Sequence, residues 1–165
     1  MTLTRFAPGP DTSREFRDAL GRFATGVTVV TCQSSLGPLG ITANSFASVS
    51  LEPPLVLWSP ARSSRRFDAF VEATEFAIHI LGDDQTDLCN RFSNEGLDFG
   101  GLDWKANDAN VPLIEGVLAR FECTRHTVHE GGDHAIVVGR VTQAAFGDGN
   151  PMVFSKGSYG AFRDM

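Results

Sequence analysis

Uncharged polar side chains are concentrated in segment 40–50, which reads Gly-Ile-Thr-Ala-Asn-Ser-Phe-Ala-Ser-Val-Ser. The hydroxyl and amide groups of this segment, together with its main chain, offer hydrogen-bond donors and acceptors without charge. Such a set suits a neutral polar ring system or a polyol chain. A turn stabilised by hydrogen bonds between side chains and backbone would have a similar composition. The local pattern leaves both interpretations open.

A basic pentapeptide, Arg62-Ser63-Ser64-Arg65-Arg66, directly precedes a predicted helix. Helix N-terminal amides, serine hydroxyls and guanidinium groups can together hold a phosphate. The alternative is an ordinary helix N-cap flanked by solvated arginines. Because the chain is otherwise acidic, three arginines within five residues favour the anion site.

A histidine lies at the mouth of a predicted hairpin, in the tripeptide Gly132-Asp133-His134, where the aspartate could orient its ring. A turn histidine without a role would have the same sequence. Cys123, His126 and His129 add further metal-ligand types nearby. However, roughly 20 Å of strand would separate Cys123 from His129, and His126 would lie on the opposite face. The spacing therefore argues against a metal site.

Composition and motif content exclude several classes of protein. No G-x-G-x-x-G follows a first strand, and the sequence contains no P-loop, H-E-x-x-H or G-x-S-x-G pattern. The formal charge of -6 and the pI of about 5.1 argue against a nucleic-acid partner. The sequence shows no signal peptide and no apolar run long enough for a membrane span, so we expect a cytoplasmic location and no membrane association. The cysteines form no Cys-x-x-Cys pair, and we expect reduced thiols.

The elements that would position these residues are mostly strands. A leader at residues 1–10 precedes a predicted helix, which begins with the capping-box pattern of residues 12–15 and extends to Gly26. Phe16, Leu20 and Phe23 recur at helical spacing along it. β-branched and alternating apolar residues then predict strands at 27–31, 39–43, 48–51, 55–59, 76–81, 117–124, 135–141 and 152–154. In the strand at 117–124, the alternation points Cys123 to the core.

Short helices interrupt this series of strands. Ser63 or Ser64 is a candidate N-cap for one helix, and Asp83 or Asp84 for a second that reaches Phe92.

One segment is predicted to be a loop, and the order of strands along the whole chain predicts a β-barrel. Segment 94–110 is rich in glycine, asparagine and acidic residues, which is typical of a long surface loop. The predominance of strands in hairpin-like order predicts an antiparallel barrel rather than a βαβ fold. Since no repeat or internal linker is visible, residues 11–165 are expected to form one domain.

Five motifs in a fixed order resemble the flavin reductase-like family, which comprises reductase components of two-component flavin-dependent monooxygenases. The resemblance runs from about Phe16 to Tyr159, nearly the whole chain. The motifs are Ala24-Thr25-Gly26-Val27-Thr28-Val29-Val30-Thr31; Gly40-Ile41-Thr42-Ala43-Asn44-Ser45-Phe46; Ser48-Val49-Ser50-Leu51-Glu52-Pro53-Pro54; Gly132-Asp133-His134 before Gly139-Arg140-Val141; and Pro151 to Phe154 before Gly157-Ser158-Tyr159-Gly160.

The resemblance implies a mainly β fold, an antiparallel Greek-key split β-barrel with a few flanking helices, and a homodimer with flavin near the subunit interface. The isoalloxazine and ribityl groups would contact 42–45 and 48–50, and the phosphate would contact Ser59 and 63–65. The nicotinamide side would be lined by His134, the candidate catalytic residue, and by 154–159. The candidate cofactor-binding residues are Thr42, Ala43, Asn44, Ser45, Ser48, Val49, Ser50, Ser59, Ser63, Ser64, Arg65, Phe92, Phe154, Gly157 and Tyr159.

The activity that the resemblance implies is hydride transfer from NADH or NADPH to FMN or FAD, which requires no strong acid or base from the protein. The main chain of 42–45 would stabilise the negative charge that reaches the flavin. The reduced flavin would then leave for a separate oxygenase component. Two other functions on a similar barrel stay open: a non-catalytic flavin-binding electron carrier and an oxidase of the pyridoxamine-phosphate type.

Overall fold

Twelve strands and three α-helices make up residues 2–165, the part of the chain that the computed structural model describes. The helices are α1 (Ser13–Leu20), which follows a 3-10 turn at Pro10–Thr12, α2 (Phe67–Glu72) and α3 (Thr86–Asn94). The strands are β1 (Thr25–Gly26), β2 (Thr28–Ser34), β3 (Gly37–Ala43), β4 (Ala47–Leu51), β5 (Pro54–Trp58), β6 (Glu75–Ile80), β7 (Trp104–Ala106), β8 (Pro112–Ile114), β9 (Ala119–Gly131), β10 (His134–Phe146), β11 (Met152–Ser155) and β12 (Ser158–Ala161).

Seven strands form one antiparallel sheet in the order β3-β2-β6-β9-β10-β5-β4. Its two edge strands, β3 and β4, are separated in sequence by residues 44–46 alone. Because four Cα steps span at most about 15 Å, the sheet must curl until its edges lie close together. The structure therefore confirms the mainly β split barrel with few helices.

The barrel packs against smaller elements on one side. β1, β11 and β12 form a three-stranded sheet, and β7 pairs with β8. β2 is buried on both faces, and its successive side chains alternate between two apolar clusters. Val30 and Cys32 pack with Trp58, Phe70, Phe76 and Ile78 in one cluster, whereas Val29 packs with Leu81, Phe92, Phe99 and Met152 in the other.

Segment 94–110 is mostly exposed and irregular, as the sequence predicts, but a short strand and a buried aromatic residue tie it to the rest of the fold. β7 lies within it and pairs with β8 through Trp104 and Ile114. Phe99 is buried, with its ring centroid 5.0 Å from that of Phe92 and 5.2 Å from that of Trp104. Two aromatic anchors thus hold a polar stretch against the barrel. The strand β12 was likewise absent from the sequence-based prediction.

Helix α1 differs from its predicted form. The Thr12 hydroxyl donates to the Ala7 carbonyl at 2.8 Å and makes no capping bond to the helix. The helix ends at Leu20 instead of extending to Gly26. None of its residues is buried, so its apolar side chains remain at the surface.

The starts of α2 and α3 also differ from the predicted N-caps. Ser64 lies before α2, where its hydroxyl accepts the Arg66 N–H at 3.1 Å. α3 follows Gln85, so neither Asp83 nor Asp84 occupies its N-cap. Packing of the buried Phe70 and Cys89 side chains, rather than capping side chains, determines the positions of these short helices.

The described chain carries neither a membrane-crossing helix nor a disulfide. Within residues 2–165, no helix combines the length and apolar character needed to cross a membrane. The three cysteines are buried and unpaired over the same range, with Cys123 in the core as its strand alternation predicts.

One buried histidine, which the sequence-based analysis did not single out, connects three strands. His79 of β6 is fully buried; its Nδ1–H donates to the Val29 carbonyl, and its Nε2 accepts the Ile114 N–H, each at 3.0 Å. This bonding requires the neutral ring, and burial lowers the pKa of His79 to about 4.

We predict that His79 makes the fold sensitive to acid below neutrality. In the unfolded chain a histidine binds its proton near pH 6.5, so the unfolded state binds more protons between that pH and about 4. Stability therefore falls as the pH falls through this window. Between pH 7 and pH 5 the wild type should lose about 2 kcal/mol of unfolding free energy more than His79→Gln, measured by urea unfolding.

The carbon chemical shifts of the His79 ring provide an independent readout in the wild-type protein. The ring should remain neutral at pH 5 while the exposed His126, on β9, serves as the reference for an accessible histidine. The prediction would be contradicted if the unfolding free energy of wild type and variant had the same pH dependence and His79 became protonated near pH 6.5.

Candidate functional site

A small groove of about 150 Å³ brings the end of β3 together with β11 and β12. We call it the central groove. It is lined by Val27, Thr42, Ala43, Asn44, Ser93, Phe154 and Tyr159. Five of these residues, Thr42, Ala43, Asn44, Phe154 and Tyr159, are candidates from the sequence, although they come from segments more than 100 residues apart.

Two larger grooves adjoin the central groove. The serine–arginine groove, about 930 Å³, lies among residues 33–36, 63–66 and 93–97, and Ser93 lines both it and the central groove. The helix groove, about 650 Å³, is lined by Arg17, Asp18, Leu20, Gly21, Arg22, Phe23, Thr25, Asn44, Phe154, Lys156 and Gly157. Asn44 and Phe154 connect it to the central groove. The three grooves thus form one trough with the small groove at its centre.

The hydroxyl groups at the end of β3 are engaged within the protein. Thr42 Oγ1 donates to the Cys89 carbonyl at 2.7 Å. Ser45 Oγ accepts the Ser59 N–H at 2.9 Å and donates to the Ser59 carbonyl at 3.2 Å. These bonds hold Ser45, in the β3–β4 connection, to Ser59 at the end of β5, and neither residue lines the three grooves.

The main chain at 44–46 supplies the free donors that the hydroxyls do not. The N–H groups of these residues have no hydrogen-bond acceptor among residues 2–165. Asn44 is exposed, and its carboxamide makes no hydrogen bond to the same part of the chain. Of these residues Asn44 lines the central groove, so its N–H and carboxamide are uncharged donors available there.

The three arginines of the basic pentapeptide have different roles. Arg62 pairs with Glu130 and lies 5.2 Å from the Phe67 ring centroid. Arg66 donates to the carbonyls of Gly40, Phe92 and Ser93 at 2.9, 2.7 and 3.3 Å. Arg65 is exposed, forms no ion pair within residues 2–165, and lines the serine–arginine groove with Ser63 and Ser64.

Close packing at two glycines, Gly40 and Gly96, determines the distance between α3 and β3. A Cβ at Gly40 would lie 2.5 Å from the Phe92 ring, and a Cβ at Gly96 would lie 2.9 Å from the Gly40 carbonyl oxygen. The Gly40 N–H donates to the Gly96 carbonyl at 2.8 Å. Phe92, a candidate cofactor contact from the sequence, is fully buried in this contact and does not line the grooves. It supports the site from within the core.

Two aromatic rings form one wall of the central groove. The Phe154 and Tyr159 centroids lie 5.2 Å apart on the paired strands β11 and β12. The neighbouring Cys89 thiol and partial burial raise the pKa of the Tyr159 hydroxyl. Tyr159 thus stays neutral near pH 7, and the wall carries no charge.

His134 lies at the start of β10, outside the lining of the central groove. Its Nδ1 donates to Asp133 Oδ1 at 2.8 Å, which is the orientation that the sequence predicts. The hydrogen bond from His134 lowers the pKa of Asp133. The Asp133 carbonyl accepts the Arg62 N–H at 2.9 Å, and His134 pairs with Ala61, so His134 and Asp133 lie beside the start of the basic pentapeptide.

The remaining candidates lie on the edge strand β4. Ser48 and Val49 are exposed and Ser50 is half-buried. They line none of the three grooves of the described chain. Gly157, by contrast, lies in the helix groove beside Phe154.

Several residues that line the three grooves are not among the candidates from the sequence. Ser93 follows Cys89 by one helical turn, and its hydroxyl donates to the Cys89 carbonyl at 2.9 Å. Arg17 lies on α1, Arg22 follows the end of that helix, and Lys156 lies in the β11–β12 turn, and only the fold brings them together. A Lys-Gly pair between alternating residues was the available signal for that turn. Within residues 2–165, no three His, Cys, Asp or Glu side chains are placed to share a metal ion.

A family model described as the flavin reductase-like domain matches residues 20–163 of the chain. The chain belongs to the flavin reductase-like family. The grooves therefore lie in a fold whose family is defined by flavin reduction, and the expectation of an NAD(P)H:flavin oxidoreductase is confirmed.

Individual relatives of this flavin reductase-like protein cover most of its length. FMN reductase (NADH) SmoA of Agrobacterium fabrum is 59% identical over 157 residues, covering 95% of this chain and 90% of that protein. The reductase subunit HsaB of a flavin-dependent monooxygenase from Rhodococcus jostii is 38% identical, covering 88% and 76%. The solved structure of the NADH:FAD oxidoreductase SgcE6 of Streptomyces globisporus is similar with a TM-score of 0.88 and 35% identity, covering 100% and 96%.

Proposed function

We propose that this protein transfers a hydride from NADH to FMN and holds the flavin ring in the central groove. The observation that carries the proposal is that Asn44, whose N–H and carboxamide make no hydrogen bond within residues 2–165, lines the central groove with the aromatic wall of Phe154 and Tyr159. Uncharged donors suit the pyrimidine oxygens of a flavin, and aromatic rings suit its faces. The name of SmoA supports FMN and NADH as the preferred pair.

The serine–arginine groove would hold the flavin phosphate. Arg65 is the cation of the pentapeptide that is not engaged with another part of the described chain, and the Ser63 and Ser64 hydroxyls lie in the same groove. Ser93 joins this groove to the central one. A ring bound in the central groove could therefore extend its ribityl phosphate toward Arg65.

The protein would contribute to the reaction by positioning the two ligands and by stabilising the charge that develops on the flavin. A flavin held in the central groove would supply the hydride acceptor, with negative charge developing at its pyrimidine end. The N–H groups of 44–46 would stabilise that charge, because the Ser45–Ser59 bonds hold this segment before a ligand binds. His134, whose Nε2 has no partner within residues 2–165, would contact the nicotinamide.

A separate oxygenase would consume the reduced flavin. HsaB is named as the reductase subunit of a flavin-dependent monooxygenase. The open trough supports the same arrangement here, since a flavin bound in it could leave after reduction.

The division into a leader at 1–10 and one domain at 11–165, and the cytoplasmic location, remain predictions from the sequence.

We also propose that the protein is a homodimer. The central groove, at about 150 Å³, is smaller than the roughly 300–1,000 Å³ of typical ligand sites. A second wall from a partner copy would enclose the ring. Exposed apolar side chains supply a surface for that contact: Leu51 is 95% and Phe146 90% exposed, on β4 and β10.

We expect Leu51→Asp combined with Phe146→Asp to give a monomer with weaker FMN binding. Light scattering should report twice the 17.8 kDa chain mass for the wild type and a single chain mass for the variant. Leu3→Asp, at an exposed position outside the three grooves, is the matched control. A monomeric wild type would remove the dimer from the proposal.

The central experiment is anaerobic stopped-flow measurement of FMN reduction by NADH. The protein should accelerate reduction above the rate of the free mixture, and absence of acceleration would eliminate the reductase function. His134→Ala should slow reduction about tenfold, consistent with loss of one ligand hydrogen bond, while the FMN dissociation constant stays within about twofold. His126→Ala, at an exposed position on β9, is the control. Equal losses in rate and flavin affinity would contradict the assignment of His134.

Replacing Ser64 and Arg65 together by alanine should weaken FMN binding about tenfold or more and leave riboflavin binding nearly unchanged. The reason is that the two ligands differ only in the phosphate, whose bonds to a guanidinium are charge-assisted. Fluorescence titration gives both dissociation constants. Arg62→Ala, which removes the arginine paired with Glu130, should leave their ratio unchanged. A uniform effect on both ligands would argue against phosphate binding at Arg65.

A further inference from the structure

The tip of the β9–β10 hairpin carries His134 and extends beyond the rest of the barrel sheet. β9 pairs with β6 only as far as Thr124, and β10 pairs with β5 only over 137–140. Residues 125–131 and 134–136 therefore form a two-stranded ribbon. A ribbon of two strands is marginally stable by itself, so the position of His134 depends on contacts made from outside the ribbon.

Segment 60–62 supplies these contacts, first through its backbone. The three backbone contacts, in chain order, are the Pro60 carbonyl with the Ala135 N–H at 3.1 Å, the antiparallel bridge of Ala61 with His134, and the Arg62 N–H with the Asp133 carbonyl at 2.9 Å. Proline and alanine side chains carry no hydrogen-bond donor. Within this segment, Arg62 alone can therefore hold the hairpin tip through a polar side chain.

The Arg62 guanidinium contacts both the turn of the hairpin and the end of β9. Its Nε–H donates to the Gly132 carbonyl at 3.1 Å, and its Nη2 pairs with the Glu130 carboxylate. Its central carbon lies 5.2 Å from the centroid of the Phe67 ring on α2. Because a guanidinium is planar and its donors have fixed directions, these contacts together determine where the turn lies relative to α2.

The same segment continues directly into the residues proposed to hold the flavin phosphate. The Ser64 N–H donates to the Ala61 carbonyl at 3.0 Å, which closes a turn over 61–64. Ala61 therefore contacts His134 on one side and Ser64 on the other. One short stretch of chain thus relates the position of His134 to that of the serine–arginine groove.

We propose that Arg62 is a positioning residue for hydride transfer, which acts by holding the turn at 130–133 and with it His134. This proposal rests on the proposed function, in which His134 contacts the nicotinamide. Arg62 lines none of the three grooves of the described chain, so it would reach the reactants only through His134. Exposed ion pairs add little to stability, so the loss of Arg62 should appear in the reaction rate rather than in the free energy of unfolding.

The test is a double-mutant cycle on Arg62 and His134, measured as the rate of FMN reduction by NADH with both at saturation. Arg62→Ala should slow reduction about three- to tenfold, and by no more than His134→Ala does, because its effect passes through His134. In the His134→Ala background, Arg62→Ala should slow reduction no further. Effects that multiply in the double variant would overturn the proposal, and so would an unchanged rate in either single variant.

Two further variants separate positioning from charge and from general destabilisation. Arg62→Lys keeps the charge, but an ammonium group does not reproduce the fork on Gly132 and Glu130, so its rate should stay at least about twofold below the wild type. Arg125→Ala is the matched control: it removes an exposed arginine of β9 that donates to the Val71 carbonyl at 2.7 Å. It should reduce FMN at the wild-type rate. Full activity in Arg62→Lys, or equal slowing in Arg125→Ala, would contradict a positioning role.

The ring signals of His134 report its position without ligand or turnover. In carbon–proton NMR spectra of the ligand-free protein, the His134 ring signals should shift or broaden in Arg62→Ala and keep their wild-type positions in Arg125→Ala. Urea unfolding of the same samples should give nearly equal free energies. Unchanged His134 signals in Arg62→Ala would overturn the proposal, because the ring would then be held without Arg62.

Failure of this proposal is distinguishable from failure of the reductase function. If the wild type does not accelerate FMN reduction, the reductase function fails, and the ring signals alone decide whether Arg62 holds His134. If the wild type accelerates reduction while the effects of Arg62→Ala and His134→Ala multiply, the function stands and the positioning role fails.

Discussion

The three-residue connection between the opposite edges of the barrel sheet is the constraint on which the site depends. Residues 44–46 must pass from β3 to β4 directly, and the paired bonds between Ser45 and Ser59 hold them in place. A segment that leaves one sheet edge before joining the other cannot continue a ladder. Its N–H groups are therefore left without strand partners, and its first residue, Asn44, lies in the central groove with the rings of β11 and β12.

Much of the fold could be predicted from the sequence because its strands carry a local signal. Alternation and β-branched runs located the hairpin β2–β3 within about three residues and the starts of β9 and β10 within about two, although both long strands extend well past their predicted ends at 124 and 141. Helix starts were not predictable in the same way, since α2 and α3 begin where buried Phe70 and Cys89 pack rather than at a capping side chain. The short strand and the buried ring in segment 94–110 were not predicted because two aromatic residues outweigh its many polar ones.

The candidate site could be predicted by residue type but not by the use of each side chain. The polar segment after β3 was found, yet the hydroxyls of Thr42 and Ser45 serve the fold, and the main chain retains the free donors. Similarly, three arginines in five residues suggested one anion site, although only the tertiary structure shows that two of them are engaged elsewhere. Hydrogen-bond partners distant in sequence leave no local pattern.

The contact of Gly40 with Phe92 and Gly96 has a consequence for how this site varies. Backbone and core ring meet there without room for another carbon, so the spacing between α3 and β3 is set by the main chain of Gly40 and Gly96 and by the buried Phe92 ring. Substitution of side chains that line the grooves would therefore change ligand selection without changing the distance between α3 and β3. Ligand preference and the α3–β3 distance can vary independently.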